Sequence, residues 1–127
     1  MLVRSEYSHA ISVPGNHSKF MIKKDERTGL YLSIVSRLLD AEHNGARNLL
    51  SLVYSADLEH WELACDLIDR RNDDPKYTGF QYVDFIMEGD DLLWLCRTAL
   101  NHPHNYHDAN YSVFHRLVNY PTLLCKT

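Results

Sequence analysis

The chain has 127 residues, with 13 Lys and Arg against 17 Asp and Glu, a formal net charge of -4 and 45% hydrophobic residues. This length suits one domain that buries a sizeable core, and the composition is ordinary for a globular protein. The acidic balance argues against nucleic acid as the main partner, because phosphate binding needs a basic surface. No basic stretch is long enough to hold the chain on an anionic membrane, and no apolar run approaches the ~20 residues that span a bilayer. The N-terminal residues lack the uninterrupted apolar stretch of a signal peptide.

The turns in the first half of the chain are spaced as in β-hairpins and do not have the pattern of helix ends. Polar turns separate short runs rich in β-branched and aromatic residues, a pattern typical of strands. The single helix-like stretch, 38–43, is cut off by Asn44-Gly45. The sequence therefore predicts a meander of four strands at 19–24, 30–36, 48–55 and 61–68.

The pattern then restarts after a polar connector. Further strands are predicted at 80–87, 92–98 and 111–116, with a weaker closing strand at 123–125. Four strands in a period of roughly 40–50 residues are typical of propeller blades. We therefore predict a single all-β domain, 1–127, made of four-stranded antiparallel β-propeller blades. It would be a partial propeller of about two blades, with unit one at about 17–68 and unit two at about 79–125.

The middle strand of unit two is apolar on both faces, with Leu92, Trp94 and Cys96 on one face and Leu93 and Leu95 on the other. A blade packs against neighbours on both sides, so this pattern favours a propeller. A complete propeller needs at least about four blades, so a small β-sandwich or barrel remains a rival interpretation.

A short segment between the third and fourth predicted strands has the composition of a stapled turn. In Ser55-Ala56-Asp57-Leu58-Glu59-His60-Trp61, the Ser and Asp side chains can bond the backbone of their own turn. The Trp61 ring can fold over that turn and pack on the sheet. Ser55, Asp57 and Trp61 are therefore predicted to be structural.

This turn resembles the Asp-box of sialidases, in the shortened Ser-x-Asp-Leu-x-x-Trp form of other glycosidase propellers. Unit two extends the likeness to sialidase-like glycoside hydrolases through Phe80-Gln81-Tyr82-Val83-Asp84-Phe85, Arg97-Thr98-Ala99 and His107-Asp108-Ala109-Asn110-Tyr111. The resemblance covers about residues 29–120 and corresponds to the C-terminal portion of such a propeller. It implies a terminal sugar of a glycan as partner and an exported protein, periplasmic or extracellular.

The short and the long predicted loops lie at opposite ends of the sheets. The first–second and third–fourth turns are short, whereas the long polar loops 38–46, 69–79 and 100–109 leave the other end, where function tends to concentrate. The resemblance implies a site there, with Asp84 and Asp108 as the catalytic candidates. Tyr82, Arg97 and His107 are the substrate-binding candidates. Glycoside hydrolysis commonly uses a pair of carboxyl groups. Guanidinium groups bind the carboxylates of sugars.

Each candidate also has a purely structural interpretation. Arg97 could pair with Asp84 or Asp108, Asp84 could bond backbone amides, and His107 with Asp108 could cap a loop. His102, His104 and His107 lack the spacing of a strong metal site, so we predict no metal and no cofactor. Cys65, Cys96 and Cys125 form an odd set without C-x-x-C spacing, and inert thiols are expected.

Three functional hypotheses follow. The chain is a sialidase-like glycoside hydrolase propeller segment that acts on or binds carbohydrate, or a non-catalytic carbohydrate-binding or structural propeller module, or a small β-sandwich interaction domain. Whether it is an enzyme stays open at this point, because a full catalytic set is not found in the chain. Open blade edges predict self-association.

Overall fold

The computed structural model describes residues 6–13, 15, 20–37, 49–70, 79–99 and 111–124. These contain seven strands and one short 3₁₀ helix: β1 (Ile22–Lys24), β2 (Tyr31–Ser36), β3 (Leu49–Ser55), β4 (Glu62–Asp69), β5 (Gly79–Glu88), β6 (Asp91–Ala99), β7 (Tyr111–Leu117) and the helix Tyr120–Leu123. Strands β1 to β4 form a four-stranded antiparallel first sheet in chain order, and β5 to β7 form a three-stranded second sheet. The predicted all-β class, about two blades of a partial propeller, is confirmed.

The end of unit two differs from its prediction. In place of a strand beginning at Leu123, the chain forms the 3₁₀ helix, which starts after Asn119 in the left-handed conformation (φ 57°). Pro121 lies in its first turn and cannot donate a ladder hydrogen bond. The chain therefore turns back under the sheets after β7 and does not add a fourth strand here. Cys125 and the helix-like stretch 38–43 lie outside the described residues.

The two middle strands of the first sheet, β2 and β3, are buried on both faces. The inner face of the sheet carries large apolar side chains, such as Leu32 paired with Tyr54 and Ile34 paired with Leu52. Its outer face carries small residues that are equally inaccessible: Ser33, Val35, Ser51, Val53 and Ser55. Small side chains let other backbone approach closely, and the Ser33 hydroxyl donates to the carbonyl of Met21 at 2.8 Å. The middle of this sheet is therefore core on either side.

The two sheets share one hydrophobic core. Strand β5 lies beside β2 and β3, and Phe85 and Trp94 of the second sheet join the buried cluster that contains Leu32 and Leu52. Apolar surface withdrawn from water on both sheets stabilises their contact by about 25 cal/mol per Å². Tyr120 and Leu124 of the C-terminal segment complete this cluster.

A polar network joins the short turns of the two units. Asp25, only 2% exposed, closes the β1–β2 turn by accepting from the Thr28 hydroxyl at 2.7 Å, and it also accepts from the Tyr120 hydroxyl at 2.8 Å. Arg27 of the same turn forms an ion pair with Asp90 of the β5–β6 turn, whose carbonyl accepts from the Tyr120 amide at 2.9 Å. The first–second turns of both units thus lie side by side.

This arrangement fixes the relative direction of the two sheets. Because β1 and β5 both lead into neighbouring turns, they run the same way along the molecule. In an antiparallel meander, the loop after the second strand must then leave from the opposite end in both units. The predicted long loops 38–46, 69–79 and 100–109 fall largely within 38–48, 71–78 and 100–110, which lie outside the described part of the chain.

The Trp94 indole stacks on the His115 imidazole, with ring centroids 4.1 Å apart and an interplanar angle of 13°. Burial lowers the pKa of His115 below its ordinary value of 6.5. The folded state therefore binds fewer protons than the unfolded chain as the pH falls through and below 6.5, so this histidine makes the fold less stable in acid.

We expect His115→Phe, which keeps a stacked ring, to reduce the loss of unfolding free energy between pH 7.5 and about pH 5. Urea melts at a series of pH values measure it. The difference between the variant and the natural chain isolates His115, because the exposed His60 has a raised pKa and acts in the opposite direction. Parallel pH profiles for the two proteins would contradict this prediction.

The cysteines among the described residues are free thiols. Cys96 is buried and Cys65 is half-buried, and burial raises the pKa of both thiols. A raised pKa keeps the unreactive thiol form at neutral pH, which agrees with the expectation of inert thiols. No helix within the described ranges has the length and apolar character to cross a membrane.

Candidate functional site

The first strands of the two units meet at an ion pair. The Lys23 ammonium of β1 lies 3.0 Å from Oδ1 of Asp84 in β5. It also donates to the carbonyl oxygen of Phe85 and sits 5.2 Å above the centroid of the Phe85 ring. One lysine therefore links the first sheet to the first strand of the second sheet through three different contacts.

This environment fixes the charge of Asp84. The hydrogen bond from Lys23 lowers the pKa of its carboxyl group, and the Phe85 backbone amide, which donates to Oδ1 at 2.8 Å, lowers it further. A carboxyl group in this state is a fixed negative charge at neutral pH. It is suited to positioning a cation and unsuited to giving up a proton as a general acid.

The remaining candidates are spread along the second sheet. Arg97 is exposed and lies on the same face of β6 as Leu95. Leu95 is the register partner of Asp84 in β5. Tyr82 lies within β5 at a register shift between Gln81 and Asp84. His107 and Asp108 lie outside the described residues. Asp84 and Arg97 therefore share one face of the second sheet, and the ion pair of Asp84 is formed with Lys23.

The predicted stapled turn is formed by Ser55, Asp57 and Trp61. The Ser55 hydroxyl oxygen accepts from the amides of Asp57 and Leu58 at 3.2 and 2.8 Å, and Asp57 Oδ1 accepts from the amides of Glu59 and His60 at 2.9 and 2.8 Å. The Trp61 indole donates to the Leu58 carbonyl at 2.8 Å. Leu58 itself has a positive φ of 72°, which this network holds in place.

The electrostatics of the turn follow from these bonds. The backbone amide of His60, followed by its imidazole at 2.6 Å, lowers the pKa of Asp57 strongly. The same carboxylate raises the pKa of His60. The hydroxyl of Ser55 donates to Asp57 and does not face the imidazole, so the three side chains do not form a nucleophile–base relay.

We expect Ser55→Ala to destabilise the fold by about 1–2 kcal/mol, because the hydroxyl is buried and two backbone amides lose their acceptor. Thermal unfolding of the variant beside Ser112→Ala, a change at an exposed serine of β7, measures the effect. An equal melting temperature for the two variants would show that the turn contributes no stability.

A second polar cluster, absent from the sequence predictions, lies toward the long-loop end of the first sheet. Arg37 Nη2 donates to both carboxylate oxygens of Asp66 at 3.0 and 3.2 Å, and its Nε donates to Ser51. The buried Ser51 hydroxyl donates to the same carboxylate at 2.6 Å. The sequence feature that could have indicated this cluster is the pairing of β3 with β4, in which Ser51 and Asp66 are register partners.

Within the residues that the structure describes, no three His, Cys, Asp or Glu side chains gather in a way that could hold a metal ion. Comparison with known proteins adds no relative: no family model, no curated protein and no solved structure matches this chain.

Proposed function

We propose that this chain is a sialidase-like β-propeller segment that binds carbohydrate at the long-loop end of its sheets without hydrolysing it. The observation that carries the non-catalytic part is the ion pair between Asp84 and Lys23. In this pair the Asp84 carboxylate of β5 contacts the first sheet through Lys23. Asp84 therefore does not supply the acid of a glycosidase pair.

The carbohydrate part rests on three supports. The Ser55–Trp61 turn makes the hydrogen bonds expected of the sialidase-type turn that the sequence resembles. The two first strands run the same way, so the loops that follow their second strands leave from one end. Arginines also stand at that end, with Arg37 after β2, Arg70 after β4 and Arg97 near the end of β6.

Those arginines favour an acidic sugar over a neutral one. Arg37 donates to Asp66, and Arg97 is exposed on the second sheet. A guanidinium group presents planar paired donors that match a carboxylate. We therefore propose a terminal sugar that carries a carboxylate as the ligand class.

Calorimetric titration of the chain with a sialylated trisaccharide and with its neutral counterpart tests this function. We expect the acidic glycan alone to bind, and Arg97→Gln to weaken binding by about 10-fold or more, the value of roughly one charge-assisted contact. The matched control is Arg116→Gln, which removes an arginine at the short-turn end that pairs with Asp91.

A fluorogenic sialoside provides the second readout, and we expect no turnover. Turnover that disappears with Asp84→Asn would replace the binding function by a catalytic one. Equal affinity for acidic and neutral glycans, or no binding of either, would overturn the proposal.

A further inference from the structure

The face of the second sheet that carries Arg97 also carries an apolar groove. Leu95 lies two positions before Arg97 on the same face of β6, and Phe114 of β7 is the register partner of Leu95. Ile86, Leu95 and Phe114 are 54%, 46% and 63% exposed, and together with Leu93 they line a groove of about 170 Å³. A cluster of exposed apolar residues marks a binding surface more often than scattered ones do.

One edge of this groove is polar. Asp84 lines the groove, and its Oδ1 atom accepts from the Phe85 amide and lies 3.0 Å from the Lys23 ammonium. Its Oδ2 atom makes no hydrogen bond or ion pair with the residues that the structure describes. Lys23 balances the charge of this carboxylate, and Oδ2 presents a hydrogen-bond acceptor beside the apolar floor.

An apolar floor with an acceptor at its edge matches a sugar ring better than an acyl chain. A pyranose presents C–H groups on its face and hydroxyl donors around its rim, so it can cover the apolar side chains and still donate to Asp84. An acyl chain in the same place would cover a charged group and give it no hydrogen bond, which is unfavourable. The composition of the groove therefore favours carbohydrate as its occupant.

The size and position of the groove indicate which ring it holds. It has room for one six-membered ring, since even a closed cavity of about 150 Å³ binds benzene. Leu95 and Leu93 lie two and four positions from Arg97, roughly 7 and 13 Å along the strand. A sugar whose carboxylate contacts Arg97 and the neighbouring Ser112 hydroxyl therefore leaves the groove to the next ring of the glycan. Among the described residues no basic side chain lines the groove, so this next ring is neutral.

From these observations we propose that the groove bounded by Asp84, Ile86, Leu95 and Phe114 is a second sugar subsite, which binds the neutral ring linked to the terminal acidic sugar. The inference rests on the proposed function, because Arg97 holds the acidic sugar in both. The Phe114 ring packs on the C–H face of the neutral sugar, and Asp84 Oδ2 accepts from one of its hydroxyls. The chain therefore recognises two linked sugars, and the second one adds affinity.

Calorimetric titration with two sialosides tests this subsite separately from the proposed function. The methyl glycoside of sialic acid supplies the acidic ring alone, and the sialylated trisaccharide adds the neutral ring. We expect the natural chain to bind the trisaccharide about 10-fold more tightly, from the apolar area buried between the neutral ring and Phe114. Phe114→Ser should abolish this advantage, whereas Phe114→Tyr, which keeps the aromatic ring, should retain it. Ile86→Ser, on a different strand, should also abolish it and gives the same readout if Phe114→Ser folds poorly.

The matched control is Tyr7→Ser, which removes an aromatic ring that is 86% exposed in the N-terminal segment. This segment is attached to the β3–β4 turn through His9 and Glu59, away from the groove, so the variant should keep the full advantage. Arg97→Gln should weaken the binding of both ligands, because it acts on the acidic sugar that they share.

The outcomes separate the two claims. Equal affinity of the natural chain for the two ligands would overturn the second subsite and leave the proposed function in place. An advantage of the trisaccharide that survives Phe114→Ser and Ile86→Ser would do the same, because the neutral ring would then bind elsewhere. A natural chain that binds neither ligand would overturn both claims.

Discussion

Replacing Tyr120 by Ala is expected to destabilise the fold by about 3–5 kcal/mol, the usual range for removing a large buried ring. Tyr120 is fully buried, and it belongs to the core cluster shared by both sheets. Its hydroxyl also donates to the nearly inaccessible carboxylate of Asp25. Burial, together with that carboxylate, raises the pKa of the phenol far above its usual value, so the ring stays neutral as the hydrogen-bond donor. Because small domains are stable by only about 5–15 kcal/mol, much of the variant should be unfolded at 37 °C.

The milder change Tyr120→Phe separates the hydroxyl from the ring. We expect it to cost about 1–3 kcal/mol, since Asp25 loses one of its donors in a buried site. A cycle with Asp25→Asn should give a coupling free energy of about 0.5–3 kcal/mol between the two positions, as residues in one hydrogen-bond network do. Strictly additive effects in urea unfolding would show that the contact between the two positions does not join the units.

Replacing Trp94 by Ala is the other change with a large expected effect, again about 3–5 kcal/mol. Trp94 occupies the middle of the inner face of the second sheet, between Phe85 on β5 and His115 on β7. Its loss removes the stacking contact and opens a cavity between the sheets, where neighbouring side chains are close-packed.

Chemical denaturation of Trp94→Ala measures this effect, with Leu63→Ala as the control at a half-exposed site. The control should cost less than about 1 kcal/mol, as surface changes do. A loss for Trp94→Ala as small as that of the control would contradict the packing of the two sheets around a shared core.

The strands were predictable because their signals are local. Apolar runs between polar turns gave all seven strands of the described chain to within a few residues at each end, and the Ser55–Trp61 turn followed from side chains that bond their own backbone. The 3₁₀ helix was not predicted, because the apolar pair Leu123-Leu124 resembles a strand end, whereas the left-handed Asn119 and Pro121 turn the backbone before it.

The contacts that define the candidate site were less accessible to sequence reasoning. Lys23 and Asp84 belong to different units, and Tyr120 lies 95 positions from Asp25. Nothing in the spacing of such residues links them, since their meeting depends on how the two sheets stack. The apolar character of β6 on both faces was visible in the sequence, whereas the exposure of Leu95 required the positions of both sheets.

The contact between the two first strands is the claim on which the proposed site depends most. Proton–proton nuclear Overhauser spectra of the chain test it directly. We predict cross-peaks between the terminal methylene groups of Lys23 and the ring protons of Phe85, with the lysine signals shifted by the ring beneath them, as the 5.2 Å separation of ammonium and ring centroid requires. A spectrum that lacks these cross-peaks, with the Lys23 signals at their positions in an unfolded chain, would contradict the stacking of the two sheets around a common centre.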